Sequence, residues 1–296
     1  MVVIRIIAGC VRAGLAALSA AILCAAAAHA QEPAPGPETP QTIGVFGDSL
    51  ADGLWIGLRW AFRRDPRVAE VEQLSEVSTG LANWVYRDLS VKTADQLSRA
   101  RYDVAVVMVG SNDMQGIRDE AGGVHAFRSP SWERIYRARI DDILTQLMDH
   151  GAQVYWVGLP VMRSARYDAN TQYLNALFQE HAEAAGAVYV DTRAVSAAAD
   201  GRYSGYLPDA AGVDRLMRAD DGIHFTLPGY RRLAEPVAAA IEYGWANPQS
   251  ARAAEAEPFS MLDQLEIMVD GEPWVCRRPE GWMFPDFGAS DPDPAR

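Results

Sequence analysis

From Thr42 onward the chain alternates between two hydrophobic periods. Short runs rich in β-branched residues, at Thr42–Phe46, Val68–Val77, Asp103–Val109, Ala152–Gly158 and Ala187–Val190, read as strands. Between and after them, amphipathic stretches predict helices over Leu54–Arg64, Asp88–Arg99, Trp132–His150, Asn170–Ala185 and Gly229–Tyr243. In the last of these, Tyr230, Leu233, Ala234, Val237 and Ile241 recur at the spacing of one helical face. Strands and helices in strict alternation require parallel strands joined by crossovers. The predicted fold is therefore of the α/β class, a three-layer α/β/α sandwich with a central parallel sheet. In such sheets ligands bind beyond the carboxyl ends of the strands.

The flanks break this pattern. Residues 31–41 form a Pro-rich linker, and 42–245 hold the alternating domain. Within it, Ala194–Asp220 is a long polar connection with Gly201, Gly205, Pro208 and Gly212, of the kind that borders a site or carries function. The tail, 246–296, contains Leu265–Asp270, Gly271 and Pro273–Cys276, which predict a short hairpin. Residues 1–30 have the layout of a secretory signal peptide: Arg5 and Arg12, an apolar run from Ala13 to Ala28, and Ala28-His29-Ala30 before the polar linker. The run falls short of the roughly 20 residues that span a bilayer, so cleavage is favoured over an uncleaved anchor. The box Ile7-Ala8-Gly9-Cys10 precedes that run, which argues against a lipid anchor. The expected location is periplasmic or secreted.

Composition narrows the partners. A chain of 296 residues buries enough surface to fold without disulfides or a structural metal. Its net charge is −12 with a single lysine, Lys92, and removal of residues 1–30 would leave it more acidic still. Nucleic acid is thereby excluded as the expected partner, because counterion release needs a basic surface. Of the three cysteines, Cys10 and Cys24 leave with the signal, and Cys276 alone supports neither a disulfide nor a zinc site.

The candidate chemistry lies at predicted strand ends. The first strand runs into Gly47-Asp48-Ser49-Leu50, with Gly53 four residues past the serine. A serine between strand and helix presents its hydroxyl near a helix N-terminus, where negative charge is favoured. Asp221-Gly222-Ile223-His224 stands just before the last helix, so His224 can take the Ser49 proton while Asp221 orients the ring. Asp220 is one residue too far for that role. Gly110-Ser111-Asn112-Asp113 ends the third strand, and Ser78-Thr79-Gly80-Leu81 follows the second. The Asn112 side-chain amide and the Gly80 and Ser49 backbone N–H groups can together form an oxyanion hole. Loss of one such donor costs about 10²–10³ in rate. Trp84, close to Gly80, and Arg163, after the fourth strand, are candidate substrate contacts, with packing and ion pairing as the competing readings. Trp55 and Trp60 read as core or rim packing, and His125, His150 and His181 as surface or helix-end residues.

These four blocks, in this order, resemble the SGNH hydrolases, also called GDSL-type esterases: Ser49 in Gly-Asp-Ser, Gly80, Asn112 in Gly-x-Asn-Asp, and Asp221 with His224 in Asp-x-x-His. The resemblance spans Thr42 to about Tyr243. It implies a flavodoxin-like sandwich, no metal or other cofactor, and ester hydrolysis through an acyl-serine formed on Ser49. Asp48 is implied to brace its loop through backbone hydrogen bonds. The long Ala194–Asp220 connection and the tail depart from shorter members. With export, the expectation is a serine esterase acting on an O-acyl, above all O-acetyl, ester of a cell-envelope or extracellular glycan. The alternatives are a periplasmic lysophospholipase or thioesterase, a glycan O-acyltransferase using the same triad, and a glycan-binding protein that keeps the fold without turnover.

Overall fold

The computed structural model describes residues 36–247, apart from 86, 120 and 210, together with the backbone of two strands in the tail. The expected signal peptide, residues 31–35 of the expected linker and Cys276 lie outside the described residues. The first strand, β1 (Gln41–Gly47), begins on the last residue of the expected linker. It pairs in parallel with β2 (Val68–Gln73) on one side and β3 (Val104–Met108) on the other. Beyond them come short β4 (Ile117–Arg118) and β5 (Val124–His125), then β6 (Gln153–Val157) and β7 (Val188–Val190). Five of these strands form one sheet in the order β2-β1-β3-β6-β7, with β3–β6 and β6–β7 also parallel. Counting only those five, this is the 2-1-3-4-5 arrangement, in which the winding reverses between β1 and β3 and leaves a crevice at their carboxyl ends.

Burial explains why the strands read as they do. β3 is buried along its whole length, and β1 is buried from Ile43 to Gly47. A strand covered on both faces shows continuous apolar residues, whereas the edge strand β2 buries only Val71 among its six residues. Helices α1 (Ser49–Phe62) and α6 (Leu227–Ala246) pack together and cover one face. The other face is covered by α2 (Leu89–Arg99), α3 (Pro130–Asp149) and α4 (Ala165–Ala185). The predicted three layers are present. No helix of the described residues is long and apolar enough to cross a membrane.

Several boundaries move. The second strand ends at Gln73, not Val77, because the chain turns away there into the loop that carries Gly80. The first helix begins at Ser49, not Leu54: the Asp48 carboxylate accepts from Leu50 N–H and caps it, and Gly53 and Gly57 lie inside the helix. Ser164 caps α4, which starts at Ala165, five residues ahead of Asn170. The 194–220 connection holds a four-residue helix, α5 (Arg193–Ser196), and an antiparallel hairpin of β8 (Tyr206–Pro208) and β9 (Asp214–Leu216). In the tail, β10 (Glu266–Val269) and β11 (Glu272–Val275) pair as the expected hairpin.

Candidate active site

Every residue of the predicted cluster hangs from the carboxyl end of the sheet. Ser49 is the first residue of α1, half-buried, directly after β1. Its Oγ lies 2.7 Å from His224 Nε2, and His224 Nδ1 lies 2.7 Å from Asp221 Oδ2. A carboxylate only accepts, so Nδ1 carries the ring hydrogen and Nε2 is left to accept from the Ser49 hydroxyl. Asp221, not Asp220, is the partner. Its other oxygen accepts from the backbone N–H of Ile223 at 2.8 Å and of His224 at 2.9 Å. Partial burial pushes the Asp221 carboxyl up, but the bonds from the His224 ring and these two N–H groups outweigh it and hold it down to about 2. Gly222 makes this tight loop possible. Its φ is +76°, and a Cβ there would lie 2.5 Å from Arg163 Cβ.

Asp48 ties the nucleophile to the neighbouring strand. The side chain is fully buried, and besides Leu50 N–H it accepts from Gly110 N–H at 3.1 Å, Ser111 N–H at 2.9 Å and Ser111 Oγ at 2.7 Å. Burial raises its carboxyl above the usual range against those bonds. Its role is therefore mechanical, joining the loop after β1 to the loop after β3.

The opposite wall is organised by Asp113. Its carboxylate is fully buried and accepts from Leu81 N–H and Ala82 N–H, both at 2.9 Å, and from the Tyr136 hydroxyl at 2.8 Å. Burial pushes this carboxyl up to about 6 even though those bonds oppose the rise. Gly80 sits against it so closely that a Cβ would come within 2.1 Å of Asp113 Oδ1. Asn112 is exposed and donates from Nδ2 to the Thr79 carbonyl at 2.8 Å, which brings the β3 loop and the Gly80 loop together. A side-chain amide has two hydrogens, and the second is left for a ligand. Among the described residues, the backbone N–H groups of Ser49 and Gly80 have no protein acceptor. Both loops are tied to the segment that carries the serine: Thr79 Oγ1 donates to the Gly47 carbonyl at 3.4 Å, and Ser111 N–H donates to Asp48 at 2.9 Å.

Trp84 lines a separate cavity, while Arg163 lies against the loop that carries Asp221. Trp84 is half-buried under the Arg139 guanidinium, 4.7 Å from its ring centroid. With Val85, Ile117, Ile135 and Arg139 it lines a cavity of about 290 Å³ whose walls do not include Ser49, Asn112 or His224. Arg163 turns its guanidinium onto the backbone of the Asp221–His224 loop. Trp55 donates its indole N–H to the Val71 carbonyl, and Trp60 lies exposed on the rim. His125 and His181 pair with Asp119 and Asp141, and His150 ends α3. Sequence reading overlooked Asp113, Arg218 and Tyr167, whose hydroxyl donates to the Ser111 carbonyl. Asp113 had a signal, its place directly after Asn112. Arg218 had none beyond its nearness to Asp221.

Solved structures share this fold. A catalytic mutant of an acetylxylan esterase from Geobacillus stearothermophilus aligns at a TM-score of 0.50 and 15% identity, over 71% of this chain and 98% of that one. A GDSL-like lipase from Bacteroides thetaiotaomicron aligns at 0.49 and 15% identity, over 69% and 89%. At such identity the likeness to the esterase is one of fold alone. No curated protein matches the chain. A family model does: the one described as protein of unknown function, DUF459, covers residues 42–240, which take in the whole cluster from Asp48 to His224, and the chain belongs to that family.

Proposed function

We propose that this chain is an exported serine esterase that removes an O-acyl group, in the first instance O-acetyl, from a cell-envelope or extracellular glycan. The observation that carries the reading is the unbroken relay from Ser49 Oγ through His224 to Asp221, both links 2.7 Å long, beside N–H donors with no protein acceptor. In the forward step Ser49 Oγ attacks the ester carbonyl while its proton passes to His224 Nε2. The charge that develops on the carbonyl oxygen is met by Ser49 N–H, Gly80 N–H and Asn112 Nδ2. Collapse expels the alcohol, which takes the proton from Nε2, and a water molecule then repeats the sequence on the acyl-serine. Asp221 stays ionised throughout and offsets the imidazolium charge.

The substrate class draws on three further observations. His224 is 35% and Asp221 46% exposed in their side chains, an open setting that suits a bulky alcohol carrying a small acyl group. The start of the chain has the layout of an export signal, and the remainder is acidic, which disfavours nucleic-acid partners.

Hydrolysis of p-nitrophenyl acetate, butyrate and octanoate by residues 31–296 tests the reading, with Ser49→Ala alongside. The expected result is turnover that falls with chain length and drops by about 10⁴-fold or more in Ser49→Ala. Rates rising with chain length would move the substrate to lipids, since each buried CH₂ contributes about 0.8 kcal/mol. Absence of Ser49-dependent turnover on all three would sink the esterase reading.

A further inference from the structure

The five consecutive backbone carbonyls from Asp220 to His224 are all taken by two arginines. From outside, Arg163 donates through Nη1 to the Asp220 carbonyl at 2.6 Å and through Nη2 to the Asp221 carbonyl at 3.0 Å, and its backbone N–H donates to the Gly222 carbonyl at 3.2 Å. From inside, Arg218 donates through Nη2 to the Gly222 carbonyl at 3.3 Å and the Ile223 carbonyl at 3.0 Å, and through Nε to the His224 carbonyl at 3.4 Å. Arg218 Nη1 reaches the Val161 carbonyl at 2.6 Å, two residues before Arg163, which joins both arginines to the segment after β6.

Arg218 is 1% exposed, and among the described residues no carboxylate lies within ion-pairing distance of it. A buried cation without a counter-ion is costly unless its hydrogens are satisfied. Here carbonyls satisfy them, and the guanidinium also lies 4.0 Å from the Phe225 ring centroid and 4.8 Å from that of Tyr203. A cation held at that cost by the carbonyls of one loop makes sense if the position of that loop matters. The chain places its general base there.

We propose that Arg163 and Arg218 form a two-sided clamp on the Asp221–His224 loop and are positioning residues that hold the His224 ring on Ser49. The proposal rests on the triad reading for its kinetic consequence. Its structural content is independent of turnover. A guanidinium can span two adjacent carbonyls from one planar fork, whereas an ammonium is a point donor. Lysine should therefore fail to replace either arginine. Misplacing a base by about 1 Å can cost roughly a hundredfold in rate.

The test uses residues 31–296 with Arg163→Ala, Arg163→Lys and Arg218→Lys. Arg163 is exposed, so its variants keep the test open should Arg218→Lys fail to fold. With p-nitrophenyl acetate, a neutral ester, Arg163→Ala should lose about ten- to a hundredfold in kcat with KM little changed. Arg163→Lys should not restore it, and millimolar guanidinium should restore part of it. Proton NMR supplies a readout that needs no turnover: the downfield Nδ1–H of His224 in its bond to Asp221, assigned by its loss in Asp221→Asn, should broaden or shift in Arg163→Ala. A raised KM with unchanged kcat would make Arg163 a substrate contact and overturn the clamp. Should the parent protein lack Ser49-dependent turnover, the proposed function falls and the resonance decides alone: unchanged in Arg163→Ala, it overturns the clamp as well.

Discussion

Asp113 touches no substrate in the proposed reaction, yet the oxyanion side rests on it. Two backbone N–H groups and one phenol converge on its carboxylate, and Gly80 lies against it with no room for a side chain. In Asp113→Ala those three donors would be left buried without partners, at about 1–3 kcal/mol each where no water enters. The expected outcome is a loss of about 3 kcal/mol or more by urea unfolding and a fall in kcat well beyond what the residual folded fraction explains. Unchanged stability would mean that the Gly80 loop is held by other means. At this scale the catalytic set is legible because each member carries its own chemistry and a neighbouring glycine or asparagine. Asp113 is marked only by its place after Asn112, and Arg218 is not legible, because both satisfy backbone groups that become neighbours only on folding.

At the scale of elements, helix α1 gives the clearest lesson. The predicted start at Leu54 falls five residues inside the observed helix, and Gly53 and Gly57 both lie on its buried face. In the fold they form a groove for α6: a Cβ on Gly53 would lie 1.9 Å from Tyr230 Cζ, and one on Gly57 2.3 Å from the Tyr230 carbonyl oxygen. Since His224 stands three residues before α6, this contact also sets the distance from nucleophile to base. Gly53→Ala should gain up to about 1 kcal/mol in helix propensity and lose about 1–3 kcal/mol to overpacking. A lower Tm together with reduced kcat is expected, and a raised Tm would show that the ring has room to swing aside. Helices α2 and α3 were predicted within about two residues of their observed ends, because an unbroken apolar stripe and a capping residue mark them.

Stability belongs to the whole molecule, and two carboxylates act on it with opposite sign. Asp221 is held down to about 2 in the fold against an unfolded value near 3.9, so the stability it contributes is present above about pH 4 and is lost as pH falls toward 2. Asp113 is raised to about 6, so its contribution is full below about pH 4 and is lost as pH rises through 6. Urea midpoints of the parent and Asp221→Asn across pH 7 to 2 check the first statement. The gap between them should narrow below pH 4, and a constant gap would mean that Asp221 does not titrate with folding.

The alternating periods determined the three-layer sandwich and its parallel strands, because burial on one face or two writes itself directly into hydrophobic spacing. The motifs determined which side chains could act, since nucleophile, base and orienter are defined by residue type. Only the tertiary structure decided that the sheet reverses between β1 and β3 and so brings Ser49 and Asn112 to one crevice. It alone placed Trp84 in a separate cavity and turned two arginines onto one loop. Strand order and carbonyl satisfaction arise from contacts far apart along the chain, and a local pattern carries no record of them.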